Sequence, residues 1–193
     1  MIDGGKMLLF GTYVFELRIA LLLLLVFAAM LFDIRSHRIP NWLVFAGLLI
    51  GVVFHTFLSY GWGLGYALQG AAVGFGLFLP LYMVRGMGAG DVKLMSMVGA
   101  FLGPASALGA VLTTLVAGGV LAIGAALWKG ALLMLLANLR FMLSHAAVKA
   151  VSGAGAGIEA APTSAGTLPY AVAIAGGTFI QVMLVRSGHA LVG

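Results

Sequence analysis

The sequence contains no cysteine in 193 residues, which excludes disulfides, thiol catalysis and any cysteine-ligated zinc or iron–sulfur module. Charge is nearly as scarce: 8% of the residues are charged and only five are acidic, while 63% are hydrophobic. The four histidines (His37, His55, His145, His189) form no i, i+4 pair and neighbour no carboxylate, so neither a dedicated metal site nor a cofactor is expected. The net charge of +5 comes without a basic cluster interleaved with aromatics, which argues against a nucleic-acid partner and leaves positive charge as a topology signal. The basic residues near the start are not followed by a short apolar region and a small-residue cleavage site, so no cleavable signal peptide is expected.

What is abundant is apolar sequence. The mean hydropathy is +1.17. Several apolar runs reach about 17–25 residues, the length that crosses a hydrocarbon core. The expectation is an all-α integral membrane protein whose burial comes largely from the lipid bilayer, folded as a single unit over residues 1–193. Candidate spans fall at 17–33, 41–59, 63–85, 91–103, 106–127 and 167–185, six crossings in all. The first, "LRIALLLLLVFAAMLF", stops at Asp33, and the second opens after Pro40, a residue suited to a helix start. The fourth is short, since about 13 residues at about 1.5 Å each rise only about 20 Å. Gly103-Pro104 then enforces a break. A short span fits if the glycine-rich segment before it dips into the membrane, where irregular backbone must be surrounded by protein or a wet cavity.

Residues 128–150 carry Lys129, Arg140, His145 and Lys149 and read as an interfacial segment, followed by a flexible linker at about 150–166. With the N-terminus outside, the inner loops hold Arg35, Arg38, Arg85, Lys93, Lys129, Arg140 and Lys149, and the outer segments hold Lys6, Arg18 and Arg186. That bias places both termini on the non-cytoplasmic side.

Of the five acidic residues, Asp3 and Glu16 lie in the N-terminal flank and Glu159 in the linker. Asp33 ends the first span and Asp91 begins the fourth, so the two crossings between them return the chain to the same, cytoplasmic boundary. Either aspartate alone can serve as a juxtamembrane charge or helix cap. As a pair on one face of an acid-poor membrane chain they point to chemistry. Two carboxylates held close cannot both ionise cheaply, so one keeps a proton while the other is an anion. The anion can take a proton from water, and the acid can donate to the carbonyl under attack. Glycines at Gly88 and Gly90 leave room for an extended peptide backbone beside Asp91.

These residues carry a resemblance. "GMGAGDVKLM", residues 86–95, resembles the Gly-x-Gly-Asp motif of the type IV prepilin peptidases, here Gly88, Ala89, Gly90 and Asp91. "FDIRSHRIPNWL", with Asp33, Pro40 and Asn41, resembles the family's first aspartate segment, and "LPYAVAIAGG", residues 168–177, its final-span motif. The resemblance implies an intramembrane aspartyl endopeptidase that removes the leader of type IV prepilins and pseudopilins at the cytoplasmic face, without metal or cofactor. It implies Asp33 and Asp91 as the catalytic dyad, Gly88 and Gly90 as loop-shaping, and Lys93 nearby. Larger members carry a cysteine-bearing region and also methylate the new N-terminus. With no cysteine and seven residues between Asp33 and Asn41, this chain resembles the small form of tight-adherence (Flp) pilus systems, and no methyltransferase activity is expected.

Lys93 reads either as a tuner of a neighbouring aspartate or as a positive-inside anchor. Arg35 and Arg38 read as topology determinants, Pro40 and Asn41 as a helix start, and Pro169 and Tyr170 as cavity-lining or interfacial residues. Gln69 suits an interhelical hydrogen bond, and the small residues of "GAAVGFG" and "LVAGGVLAIGAA" suit close helix packing. Two rival readings stand beside the peptidase: a proton-coupled transporter that relays protons through the two aspartates, and a non-catalytic membrane subunit in which they are caps. No internal repeat supports the transporter.

Overall fold

The computed structural model describes residues 4–58, 63–83, 86–130 and 169–189, together with the isolated positions 133, 137 and 140. The expected interfacial segment at 128–150 lies largely outside these residues, and the linker at 150–166 lies wholly outside them.

Among the described residues every regular element is helical, and the helices are α1 (Gly4–Ser36), α2 (Asn41–Val53), α3 (Gly63–Met83), α4 (Ala89–Leu102), α5 (Pro104–Trp128) and α6 (Tyr170–Arg186). A short π-helical turn, Phe54–Leu58, extends α2. Three helical stretches are long and apolar enough to cross a membrane: Tyr13–Ser36, Gly63–Met83 and Pro104–Trp128. Asn41–Phe57 and Tyr170–Arg186 are apolar but shorter.

The outward faces of the long helices have the pattern lipid requires. On α1, Leu17, Leu24, Phe27, Leu31 and Ile34 are exposed at helical spacing, and on α5 the same holds for Leu112, Leu115, Val116, Val120, Ile123 and Leu127. Contiguous apolar stripes of this extent mark a surface that meets something other than water.

The short α4 has a different explanation from a lipid-matched span. It packs against α1, α2, α3, α5 and α6. From Asp91 to Leu102 only Lys93 is exposed. A helix that is apolar all round belongs in a bundle's interior. Its rise of about 21 Å therefore answers to its protein neighbours and not to bilayer thickness. The close approach to α3 depends on paired glycines: a Cβ on Gly70 would land on the Gly99 carbonyl oxygen, and one on Gly99 on the Gly70 carbonyl oxygen. Ser96 adds a bond from its hydroxyl to the Ala71 carbonyl at 3.1 Å. Of the small residues of "GAAVGFG", Gly70, Ala71 and Gly74 are buried and serve packing as expected, whereas Ala72 and Gly76 are exposed. In "LVAGGVLAIGAA" the result is divided, because Gly118 is buried against Tyr170 while Gly119 and Gly124 meet nothing.

The expected break at Gly103-Pro104 is present. Gly103 has φ of 80°, a left-handed conformation open to glycine, and Pro104 starts α5. Two expectations change. The first helix begins at Gly4, well before position 17. Gln69 is exposed, and the buried amide is Gln181 of α6, fully enclosed at 0% exposure.

Candidate active site

Asp33 lies in the last turn of α1, and the chain leaves that helix sharply. The His37 N–H bonds back to the Asp33 carbonyl at 2.8 Å, and His37 itself adopts the left-handed region at φ 49°. Few non-glycine residues do so, and the bend turns the chain towards α2. Pro40 is the N-cap of α2, with extended backbone, so the helix starts at Asn41 as expected.

Asp91 is the third residue of α4. Its Oδ2 accepts the Gly88 N–H at 2.9 Å, the half of a capping box in which a side chain reaches back to the preceding backbone. The expected dipping loop is therefore shorter than the glycine pattern implied, since Ala89 and Gly90 are already helical. The cap explains this: a carboxylate at that place in the first turn closes the helix onto Gly88. Gly90 then lets the bend before α2 come close, because its Cβ would stand 3.3 Å from the Ile39 Cβ. A Cβ on Gly88 would sit 3.3 Å from Asp91 Oδ2, so glycine there keeps the carboxylate clear.

Asp33 receives its hydrogen bond from across the fold. The Ala171 N–H, in the first turn of α6, donates to Asp33 Oδ2 at 3.2 Å. Each aspartate thus meets the N-terminal amides of a helix through one oxygen, Asp91 at its own helix and Asp33 at another's. The two carboxylates are 8% and 7% exposed and line one cavity of about 870 Å³.

The rest of the cavity is mainly apolar. Gly118, Leu121, Gly124 and Trp128 of α5 form one wall, and Pro169, Tyr170 and Ala173 another, with Met87 and His37 beside the aspartates. Tyr170 is fixed between Phe78, whose ring meets it edge-on with centroids 6.2 Å apart, and Gly118, where a Cβ would fall 2.8 Å from the Tyr170 hydroxyl. Among the described residues no group of three or more His, Asp or Glu side chains gathers as metal ligands would.

The structure brings Asp33, Asp91 and Gly88 into one cavity with Pro169 and Tyr170, and leaves Lys93 and Asn41 outside it. The Lys93 Nζ donates to Asn41 Oδ1 at 3.1 Å on the exposed surface, joining α4 to the start of α2. Sequence reasoning missed His37, the Ala171 amide and the α5 wall. The helix-ending turn brings His37 to the cavity that the two aspartates line.

Helices long and apolar enough to cross a membrane, with two buried aspartates lining one largely apolar cavity, define the class: a multi-pass membrane protein. Residues 20–123 match the type IV leader peptidase family, a family of aspartic peptidases, and the chain belongs to it. The matched residues span α1 through most of α5 and contain both Asp33 and Asp91, whereas α6 lies beyond them. Comparison with curated proteins and with solved structures returned no significant match.

Proposed function

We propose that this chain is an intramembrane aspartyl endopeptidase of the cytoplasmic membrane that removes the leader of Flp-like type IV prepilins and pseudopilins, with Asp33 and Asp91 as its dyad. The observation that carries the proposal is the shared cavity: two buried carboxylates from α1 and α4 face one space, each with Oδ2 held by a backbone N–H. In each, Oδ1 accepts no hydrogen bond among the described residues and is the oxygen proposed to act on water or substrate.

The chemistry follows from that pair. One aspartate is ionised and takes a proton from a water molecule, whose oxygen attacks the scissile carbonyl carbon. The protonated partner gives its proton to the carbonyl oxygen, producing a neutral gem-diol. Collapse re-forms the carbonyl as a gem-diol hydroxyl gives its proton to the now ionised partner, and breaks the C–N bond as the aspartate that took the water's proton passes it to the departing amine, which restores the dyad. Both backbone amides hold their carboxylates in place throughout, so little reorganisation accompanies the charge movement.

The six helices form one domain that crosses the membrane six times, with both termini outside the cytoplasm and the dyad at the cytoplasmic boundary. The apolar α5 and α6 walls suit the apolar helix of a pilin, which lies laterally and presents its leader junction to the aspartates. No methyltransferase step belongs to this reading. Incubation of the purified protein in detergent with an Flp-type prepilin tests it: a pilin shortened at its N-terminus, read by mass spectrometry, is expected. Intact prepilin after prolonged incubation contradicts it.

A further inference from the structure

His37 combines a left-handed backbone, an unengaged ring and a place beside the dyad, none of which the proposed reaction uses. It stands at φ 49°, one residue past the end of α1, where a helix ends most easily on glycine. The turn is held from both sides. The His37 N–H donates to the Asp33 carbonyl at 2.8 Å, and the Ser36 hydroxyl donates to the Phe32 carbonyl at 2.8 Å and lies 3.2 Å from the Arg38 carbonyl oxygen. The exposed imidazole makes no hydrogen bond among the described residues, yet it lines the cavity shared by Asp33 and Asp91. A side chain retained at a backbone position that favours glycine points to a use for that side chain.

A count of hydrogen-bond donors around the dyad indicates the use. A peptide entering a mainly apolar cavity loses the water bonded to its carbonyls, and each carbonyl left unpaired is costly. In the proposed reaction the protonated aspartate serves the scissile carbonyl, and an extended chain presents further carbonyls at about 3.3 Å per residue. Several backbone amides of the site are already engaged: Gly86 with the Leu81 carbonyl at 2.8 Å, Gly88 with Asp91, and Ala171 with Asp33. The side-chain donors that line the cavity and make no hydrogen bond among the described residues are those of His37, Tyr170 and Trp128. Tyr170 and Trp128 belong to the α6 and α5 walls, against which the apolar helix of the substrate lies. His37 follows Asp33 by four residues and stands beyond the end of α1, on the side from which the leader arrives.

We propose that the His37 imidazole donates a hydrogen bond to a main-chain carbonyl of the substrate's leader, on the N-terminal side of the scissile bond. The assignment rests on the endopeptidase reading given above. Neutral and protonated imidazole both carry an N–H, so the bond is available in either state. It is made equally before and during cleavage, so it holds the peptide and leaves the chemical step to the aspartates. The acceptor is backbone, so His37 recognises an extended leader without choosing its side chains.

Glycine adopts the turn without strain and carries no donor, so His37→Gly separates recognition from structure. With the purified protein in detergent and an Flp-type prepilin, His37→Gly is expected to melt at about the parent Tm and to raise KM about 3- to 10-fold, as loss of one hydrogen bond does, with kcat within about twofold. His37→Asn also tolerates the left-handed region and keeps an N–H donor, and it is expected to recover most of the parent KM. A prepilin whose leader is cut to one residue has no carbonyl before the scissile one, and parent and His37→Gly are expected to share one KM for it. An unchanged KM for the full prepilin in His37→Gly overturns the proposal, and a fall in kcat and Tm with that unchanged KM assigns His37 to holding the turn alone. A KM difference that survives on the shortened prepilin places the contact elsewhere and overturns it equally; where neither protein cleaves that substrate, the full prepilin decides alone. Failure of the endopeptidase reading is distinct, because the parent protein itself then leaves prepilin intact.

Discussion

The Ala171 amide at the start of α6 donates to Asp33 at the end of α1, joining residues 138 positions apart. Asp91 makes the corresponding bond within its own helix, to Gly88 three residues earlier. One aspartate is therefore held locally and the other by the fold as a whole, so a change in the packing of α6 reaches the site through Asp33.

That difference separates structure from chemistry in a substitution series. Asp33→Asn retains an oxygen for the Ala171 N–H and is expected to melt close to the parent. Asp33→Ala removes it and is expected to lose about 0.5–2 kcal/mol, the usual cost of a lost cap. The same contrast holds for Asp91→Asn and Asp91→Ala at Gly88. Thermal unfolding of the four purified variants measures it; equal stability of the Asn and Ala forms would show that these hydrogen bonds hold nothing.

Gly118→Ala is expected to lower both stability and cleavage. Its Cβ would stand 2.8 Å from the Tyr170 hydroxyl and 3.0 Å from the ring, and the ring, braced by Phe78, has little room to retreat. Overpacking of this kind costs about 1–3 kcal/mol. Gly119→Ala is the matched control, because a Cβ there meets nothing within 4 Å. It is expected to be neutral or to stabilise by up to about 1 kcal/mol through helix propensity. Melting curves and prepilin turnover for the two variants check the contrast.

At the α3–α4 contact, Gly70→Ala and Gly99→Ala each drive a methyl into the facing carbonyl oxygen, and neither backbone can yield without moving its helix. Both variants are expected to lose at least about 1–3 kcal/mol. Because α4 carries Asp91, turnover should fall even below the melting transition. Full activity in a folded Gly99→Ala protein would mean that Asp91 does not depend on how α4 sits against α3.

Lys93→Met tests the opposite expectation. The bond from Lys93 to Asn41 is exposed and joins surface positions, so its loss is expected to cost about 1 kcal/mol or less and to leave turnover within a few-fold of the parent. A loss of activity approaching that of the aspartate variants would place Lys93 in the chemistry, where the structure does not put it.

The two aspartates were legible in the sequence because charge is costly in apolar surroundings, and only Asp33 and Asp91 among five acidic residues bordered apolar runs in a way that solvation did not explain. Helix breaks were legible for a local reason, as at Gly103-Pro104. What was not legible depends on partners distant in the chain. The Ala171 amide has no sequence signature of its own, and His37 enters the cavity only because the chain turns through a left-handed residue there. The two glutamines show the same limit: both lie in apolar runs, and only packing shows that Gln69 faces outward while Gln181 is enclosed. The length of α4 was readable, but not its cause, which is burial on every side.

The central claim is that Asp33 and Asp91 act together on one scissile bond, and the most direct measurement is the rate of prepilin cleavage by Asp33→Asn and by Asp91→Asn, each first shown to be folded by its melting curve. The account predicts that each variant loses at least about a hundredfold in rate, and that the double variant is no worse than the singles, because the carboxylates work as a unit. A folded single variant that cleaves at the parent rate would contradict it.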